Sequence, residues 1–238
     1  MVDNKWVFRV KYNADGIFQR SKVRLVAKGF HQTPGIDYSE TFSYVIKAST
    51  VKVILITTIS KVWTVRQLDI NNVFLNGNLH EIVYMYQPKG FEDKERPHHA
   101  CRLQKALYGL KQALRAWFEK LRTTLLDWGF KNSKCDSSLF FITDSSQIMF
   151  VFIYVDDMIV TGNNTLSLQR FVKKLHNFFA SKDLGPLHLF MGIEVTRDDT
   201  GIYLTKTRYV EEMLKRKNML NASPIPTPAV IGKPSLEW

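Results

Sequence analysis

The sequence predicts an α+β fold in which helices pack on one face of an antiparallel sheet. The run 148–153 consists of apolar, β-branched and aromatic residues, as buried strands do, and a second apolar stretch, 158–160, follows closely. Two longer segments, 112–128 and 166–180, repeat their apolar residues at helical spacing. Amphipathic helices of this kind bury their apolar stripe against a sheet, which produces a layered domain.

The first elements in chain order are a hairpin, a helix and a strand. Residues 5–30 predict a hairpin with Asp15 and Gly16 in its turn region and a basic second strand. Residues 49–60 are compatible with a helix, which leads into a strand over 63–68. Residues 70–77 then predict a strand end that passes into a short helix, and 82–87 predict one strand of another hairpin.

The helix over 112–128 is predicted to end at Gly129, a residue suited to the left-handed conformation beyond a helix. The helix over 166–180 follows an Asn-Asn-Thr sequence that can cap its first turn. A last helical pattern covers 206–217. Three alternate prolines then favour an extended backbone and an unstructured tail: Pro224, Pro226 and Pro228.

Adjacent carboxylates lie at the tip of the apolar strand, at Asp156 and Asp157. Such a pair repels itself and raises its own pKa values unless a cation is bound nearby. Mg²⁺ prefers carboxylate oxygens and needs further ligands. Asp69 is the best candidate for a third acid, because it also follows a predicted strand.

The acidic motifs also have simpler interpretations. An Asp-Asp pair at a hairpin tip, taken alone, is more often a solvated turn. A strand that ends in acids also occurs in P-loop NTPases, but the phosphate-binding G-x-x-x-x-G-K-[ST] string is absent from this sequence. The triplet 199–201, Asp-Thr-Gly, matches that of aspartic proteases, yet its flanks predict a hairpin turn.

Composition is compatible with a protein that binds nucleic acid. Lysine and arginine number 33 against 22 acidic residues, a net charge of +11 that favours a polyanionic partner. The spacing of Cys101 and Cys135 indicates neither a zinc site nor a disulfide framework. No signal peptide or long apolar run is present, so the sequence predicts an intracellular, cytoplasmic location without a membrane partner.

Many short stretches, taken in order, resemble the reverse transcriptase domain of Ty1/copia-type LTR retrotransposon polyproteins, over about residues 6–228. The matching stretches are 5–8, 11–13, 24–30, 35–38, 40–42, 67–69, 74–77, 83–85, 87–88, 107–112, 154–157 and 191–195. This resemblance implies a right-hand polymerase architecture with fingers, a palm and an incomplete thumb. The fingers would comprise mainly 5–62 and about 82–112, the palm mainly 63–81 and 113–205, the start of the thumb about 206–222, and the tail 229–238.

The resemblance implies an RNA-directed DNA polymerase that uses two Mg²⁺ ions, with Mn²⁺ as a possible substitute. Asp69 and Asp156 would be the bridging metal ligands, Asp157 would ligate or support the metal nearer the primer, and the carbonyl of Ile70 would be a backbone ligand. The partners would be an RNA or DNA template, a DNA primer and deoxynucleoside triphosphates. In this family the enzyme acts within a virus-like particle.

Five residues resemble the family's nucleotide-binding positions. Lys22 and Arg24 would neutralise the triphosphate, while Asn72 and Gln112 would contact or support the nucleotide. Phe74 would exclude a 2′-hydroxyl and thereby select deoxynucleotides, although core packing is its simpler explanation.

Three further residues, Tyr154, Met191 and Gly192, resemble positions that contact primer and template. The glycine there would allow the nucleic acid strand to approach the backbone closely. Template recognition should rest on backbone and A-form shape, because a copying enzyme must accept every sequence.

The sequence departs from the family pattern at four positions. Tyr44 and Leu114 replace prolines, Lys52 replaces an arginine, and Val73 replaces an alanine beside the predicted catalytic strand. These departures leave open the alternative of a catalytically inactive remnant that at most binds nucleic acid.

Overall fold

Two units divide the chain, Met1–Leu187 and His188–Trp238. The computed structural model describes residues 1–13, 15–41, 46–190, 192–198 and 201–223. Tyr44, Met191 and the proline-rich tail therefore lie outside the described residues. None of the described helices is both long and apolar enough to span a bilayer.

The first unit contains ten strands and four α-helices among its described residues. In chain order these are β1 Asn4–Tyr12, β2 Phe18–Ala27, α1 Ala48–Ser60, β3 Thr64–Ile70, α2 Val73–Asn76, β4 Asn78–Tyr86, β5 Ala100–Lys105, α3 Ala113–Asp127, β6 Lys131–Asn132, β7 Leu139–Thr143, β8 Ile148–Tyr154, β9 Asp157–Gly162, α4 Thr165–Phe179 and β10 Ser181–Pro186. Strands β1 and β2 form the predicted N-terminal hairpin, and β4 pairs with β5.

A six-stranded antiparallel sheet is the centre of this unit, in the order β10-β3-β9-β8-β7-β6. Helices α3 and α4 pack on one face of it, because their apolar stripes share a buried cluster with alternate residues of the strands. The strand side chains in this cluster include Leu68, Ile70, Val151, Ile153, Met158 and Val160. The predicted α+β class with an antiparallel sheet is therefore confirmed.

Helix α1 departs from the expectation that all helices cover one face. Its Thr58 hydroxyl lies 3.2 Å from the Thr161 hydroxyl. Thr161 alternates with Val160, so its side chain points away from α3 and α4. A helix therefore contacts the second face as well, at the end of β9 distant from Asp157.

The helix ends match the signals in the sequence. Helix α3 ends at Asp127 with Trp128 as its C-cap, and Gly129 follows with φ +89°, the left-handed conformation that glycine adopts without strain. At the start of α4 the Asn164 side chain accepts a 3.1 Å hydrogen bond from the Ser167 N–H.

Strand β10 is not indicated by the sequence, since Ser-Lys-Asp-Leu-Gly-Pro has little strand propensity. It forms the edge of the sheet beside β3, and a register irregularity accompanies Gly185. Glycine and proline are tolerated at such edges because few ladder hydrogen bonds depend on them.

The second unit contains a three-stranded antiparallel sheet and one helix among its described residues. Its elements are β11 Leu189–Phe190, β12 Ile193–Asp198, β13 Gly201–Thr205 and α5 Thr207–Arg216. Asp198 pairs with Gly201 across the connection between β12 and β13, as the predicted hairpin requires, whereas residues 199 and 200 lie outside the described part.

The segment that precedes α3 packs unusually closely against the end of β2. Gly109 has φ +91°, and a Cβ atom there would collide with the Ala27 carbonyl oxygen. A Cβ on Gly29 would in turn collide with the Gly109 carbonyl oxygen. Glycine at both positions is therefore required for this backbone approach.

We expect Gly109→Ala to lower the free energy of unfolding by at least about 2 kcal/mol, because overpacking against a backbone adds to the conformational strain. The matched control is Gly129→Ala, since Gly129 has nearly the same φ, +89°, and a methyl group added there would meet no atom within 4 Å. Urea unfolding measures both variants. Equal losses in the two variants would contradict the close-packing explanation.

Candidate active site

Strand pairing brings Asp69 and Asp157 together. Asp69 lies near the end of β3, Asp157 begins β9, and the two residues are directly opposite in the antiparallel register. Residues opposite one another project their side chains to the same face. Leu68 and Met158 face the helices, so both acids lie on the other face of the sheet.

Asp156 is placed beside Asp69 by a backbone hydrogen bond. It occupies the turn between β8 and β9, and its carbonyl oxygen accepts a 2.9 Å bond from the Ile70 N–H. Its side chain is exposed, whereas those of Asp69 and Asp157 are partly buried. Asp69 and the adjacent pair Asp156 and Asp157, which are distant in sequence, thus become neighbours at one end of the sheet.

The turn itself has a strained backbone. Tyr154 pairs with Asp157, so only Val155 and Asp156 connect the two strands. Val155 has φ +57°, a conformation that is rare for a β-branched residue and costs of the order of 1–3 kcal/mol. The Trp117 indole N–H of α3 donates a 2.8 Å hydrogen bond to the Val155 carbonyl, which helps to hold this geometry.

Burial and mutual repulsion destabilise the charged forms of two of these acids. Burial, and then the charge of Asp156, raise the pKa of Asp69 above its ordinary 3.8, although Lys22 partly opposes the shift. The pKa of Asp157 is raised by burial and by Asp156, while a hydrogen bond from Gln67 partly opposes the shift. A cation at this end of the sheet would relieve the repulsion.

The donor chemistry fits a hard divalent cation, since carboxylate oxygens are the ligands that Mg²⁺ prefers. In the part of the chain that the structure describes, however, no group of three His, Cys, Asp or Glu side chains could hold a metal ion as it stands. The acids are therefore neighbours without forming a finished metal cluster.

The β1–β2 hairpin has a strongly cationic face. Its register places Arg9 opposite Lys22 and Lys11 opposite Arg20. By alternation, six side chains share this face: Lys5, Arg9, Lys11, Arg20, Lys22 and Arg24. Burial, and then the neighbouring cations, lower the pKa of Lys22, whereas the charge of Asp69 opposes this shift. The cationic face is therefore electrostatically coupled to the acids.

Phe74 and Asn72 lie just beyond β3. Asn72 is exposed and has φ +50°, which reverses the chain before α2. Phe74 is partly buried and packs against two apolar clusters. Its ring meets the Tyr108 ring edge to face, with the centroids 4.8 Å apart.

Gln112 is buried, and both ends of its amide bond other protein groups. Its Oε1 accepts a 3.0 Å hydrogen bond from Gln32 Nε2, and its Nε2 donates to the Asp37 carbonyl at 3.1 Å. Gln32 Oε1 also accepts from the Lys111 N–H at 2.8 Å. In this structure Gln112 therefore anchors the loop after β2.

The remaining predicted residues are spread over both units. Tyr154 ends β8 opposite Asp157 and is partly buried. Gly192 is an exposed residue with φ +72° between β11 and β12 of the second unit, and Met191 lies outside the described residues. Val73, one of the departures from the family pattern, is buried in the core at 2% exposure.

Sequence patterns missed three contributors to this site: Trp117, Gln67 and Tyr108. The helical spacing of Trp117 predicts core packing only, and its indole N–H contact with the turn depends on tertiary structure. Gln67 lies two residues before Asp69 and so shares its face, a relation that strand alternation could have indicated.

Comparison with known proteins gives a consistent result. Residues 1–231 match the reverse transcriptase (RNA-dependent DNA polymerase) family. The chain is 48% identical over 228 residues to the retrovirus-related Pol polyprotein from transposon RE1 of Arabidopsis thaliana, covering 96% of this chain and 16% of that protein. It is 38% identical over 227 residues to the corresponding polyprotein from transposon TNT 1-94 of Nicotiana tabacum, covering 94% and 17%.

The chain thus spans about a sixth of the length of these relatives. Among solved structures, an apo telomerase from Candida tropicalis, truncated from its C-terminal domain, aligns with a TM-score of 0.42 and 10% identity. That alignment covers 85% of this chain and 55% of the telomerase chain.

We expect Asp69→Asn to increase the free energy of unfolding at neutral pH in metal-free buffer. The pKa of Asp69 is raised in the folded state, so the folded protein binds this proton more tightly than the unfolded chain does. Wild-type stability therefore falls as the pH rises from 3.8 through the raised pKa. The advantage of the variant should be full above that pKa and absent below 3.8, as urea unfolding at several pH values would measure.

Asp144→Asn provides a control of opposite sign. Hydrogen bonds from Ser146 and Gln147 lower the pKa of Asp144 to about 2. This exposed carboxylate therefore adds stability above 3.8 that is lost as the pH falls through about 2, so the control variant should be less stable at neutral pH. The same direction of change in both variants would refute the assigned causes.

Proposed function

Because the chain belongs to the reverse transcriptase (RNA-dependent DNA polymerase) family, among Ty1/copia-type Pol polyproteins, we propose that it copies an RNA or DNA template onto a DNA primer. The observation that carries this proposal is the β3–β9 register, which sets Asp69 opposite Asp157 and beside the Asp156 turn. The substrates would be deoxynucleoside triphosphates.

The elements of the fold would correspond to the fingers, palm and thumb of a right-hand polymerase. The β1–β2 hairpin and the β4–β5 pair would form the fingers, and the six-stranded sheet with α3 and α4 would form the palm. Helix α5 would begin the thumb. The palm assignment is supported by the placement of the acids on the sheet face that α3 and α4 leave free.

The metal ligands would be Asp69 and Asp156, which would bridge two Mg²⁺ ions, with Mn²⁺ as a substitute. Asp157 would ligate or electrostatically support the ion nearer the primer, and the carbonyl of Ile70 would add a backbone ligand. When bound, the ions would activate the primer 3′-hydroxyl and stabilise the pyrophosphate leaving group. The raised pKa values of Asp69 and Asp157 support this role, since burial and the charge of Asp156 disfavour their charged forms and a cation would stabilise them.

The cationic face of the hairpin would bind the triphosphate. Lys22 supplies a compact point charge and Arg24 a planar fork of donors, which suits phosphate oxygens. The lowered pKa of Lys22 reflects burial and crowding by its cationic neighbours, and an anionic ligand would relieve the crowding.

Phe74 would contact the sugar of the incoming nucleotide and exclude a 2′-hydroxyl, with Asn72 exposed nearby. Gln112 would act indirectly, because its amide holds the 32–37 loop rather than projecting into solvent. Tyr154, Met191 and Gly192 would contact primer and template.

We expect Asp156→Asn to reduce primer extension on poly(rA)/oligo(dT) by at least about a hundredfold with Mg²⁺ or Mn²⁺, because a bridging metal ligand is worth several kcal/mol in the transition state. Incorporation of labelled dTTP measures the effect. Asp144→Asn is the control, as this exposed carboxylate lies in the β7–β8 loop.

A remnant without catalytic activity would give a different pattern. In that case the wild-type protein and the Asp156→Asn variant would bind the RNA–DNA hybrid equally well, and neither would extend the primer. Undiminished extension by Asp69→Ala would likewise exclude the proposed metal ligands.

We expect Phe74→Val to increase the use of UTP relative to dTTP by about tenfold or more, since a smaller side chain leaves space for the 2′-hydroxyl. The ratio of kcat/KM for the two nucleotides measures it. An unchanged ratio would show that Phe74 serves the core alone.

A further inference from the structure

We propose that Tyr108 is a positioning residue that couples triphosphate binding to sugar selection. Its ring contacts both of the side chains that would perform these tasks. The Phe74 ring meets it edge to face, with 4.8 Å between centroids and an interplanar angle of 83°, and the Arg24 guanidinium carbon lies 5.2 Å from its centroid. The proposal rests on the roles assigned above to Phe74 and Arg24.

The backbone of Tyr108 is fixed to the strand that carries Arg24. The Ala27 N–H donates a 2.7 Å hydrogen bond to the Tyr108 carbonyl, and Val26 forms a β-bridge with Tyr108. The adjacent Gly109 allows this approach, because any Cβ there would collide with the Ala27 carbonyl. The backbone atoms from which the ring projects therefore have a defined position relative to β2.

Phe74 depends on packing for its orientation. It lies in α2, which has only four residues and no side-chain hydrogen bond at its N-cap. So short a helix has little intrinsic stability. Its apolar neighbours, with the Tyr108 ring among the aromatic ones, must therefore determine where the Phe74 ring points.

Arg24 also relies on the Tyr108 ring. Its Nε is buried and has no hydrogen-bond partner among the described residues. A guanidinium held over an aromatic face is stabilised by the cation–π interaction. Because Nε is buried, phosphate oxygens would bind the two terminal nitrogens of the guanidinium.

Through Tyr108, the residue that would bind the triphosphate would influence the residue that would contact the sugar of the same nucleotide. Phosphates that engage Arg24 would hold the guanidinium over Tyr108, and the Tyr108 ring would in turn keep Phe74 against the sugar. Loss of the ring should therefore weaken discrimination against ribonucleotides as well as triphosphate binding. A residue that only stabilised the fold would impair dTTP and UTP alike.

The test measures kcat and KM for dTTP and UTP on poly(rA)/oligo(dT) with wild type, Tyr108→Leu and Tyr108→Phe. We expect Tyr108→Leu to lower the dTTP/UTP ratio of kcat/KM by about two- to tenfold and to raise KM for dTTP by a similar factor, as expected for losing one aromatic pair and one cation–π contact. Tyr108→Phe keeps the ring and should retain the wild-type ratio.

Tyr84→Leu is the control, because Tyr84 is an exposed tyrosine of β4 in the same unit. It should leave the ratio unchanged. A second variant, Arg24→Gln, removes the charge without touching the sugar side, and it should lower the ratio too. It keeps the proposal testable if Tyr108→Leu fails to fold, as thermal unfolding would reveal.

Combination with Phe74→Val separates this proposal from the preceding one. If Phe74→Val shifts the ratio and Tyr108→Leu adds nothing further in that background, the coupling is supported. A purely additive effect, or equal losses for both nucleotides in Tyr108→Leu and Arg24→Gln, would overturn the coupling and leave the polymerase assignment intact.

Failure of Phe74→Val to alter the ratio would instead refute the sugar contact on which the coupling rests. Binding of dTTP and UTP to a complex with a dideoxy-terminated primer gives the same ratio without catalysis. Equal effects of Tyr108→Leu on the binding of both nucleotides would again overturn the proposal.

Discussion

The site depends on the antiparallel pairing of β3 with β9. This register sets Asp69 opposite Asp157 on the face that α3 and α4 leave free. A slip of one residue would turn the Asp157 side chain into the apolar cluster, so packing of the sheet's other face also specifies the acids. Hydrogen bonds from Ile70 and Trp117 then hold the connecting turn despite the positive φ of Val155.

Like charges are concentrated on two surfaces that influence each other electrostatically. Burial and repulsion raise the pKa of Asp69, while burial and neighbouring cations lower the pKa of Lys22, and each residue partly relieves the other. The charged form of each residue is therefore less favourable in the folded protein than in the unfolded chain. Such local conflict is common at functional sites, where ligands supply the missing charges. A metal-bound triphosphate has both kinds of charge.

The segment 107–112 lies between β5 and α3 and contacts the end of β2 in the N-terminal hairpin. Gly109 permits the backbone approach to Ala27, the Tyr108 ring contacts both Phe74 and Arg24, and Gln112 anchors the loop after β2. These contacts explain in physical terms why this short stretch has glycine, an aromatic ring and an amide at fixed spacing. Each of these three residues therefore makes a different contact within the same short segment.

Local patterns in the sequence determined the helices and the chemistry of the acids: apolar spacing predicted α3, Gly129 its end and Asn164 the cap of α4. Tertiary structure alone decided that Gln112 is buried, that α1 contacts the second sheet face and that β10 completes the edge. Helix periodicity and capping act within a few residues, whereas these features depend on partners far apart in the chain. Register and packing, which no local pattern encodes, select those partners.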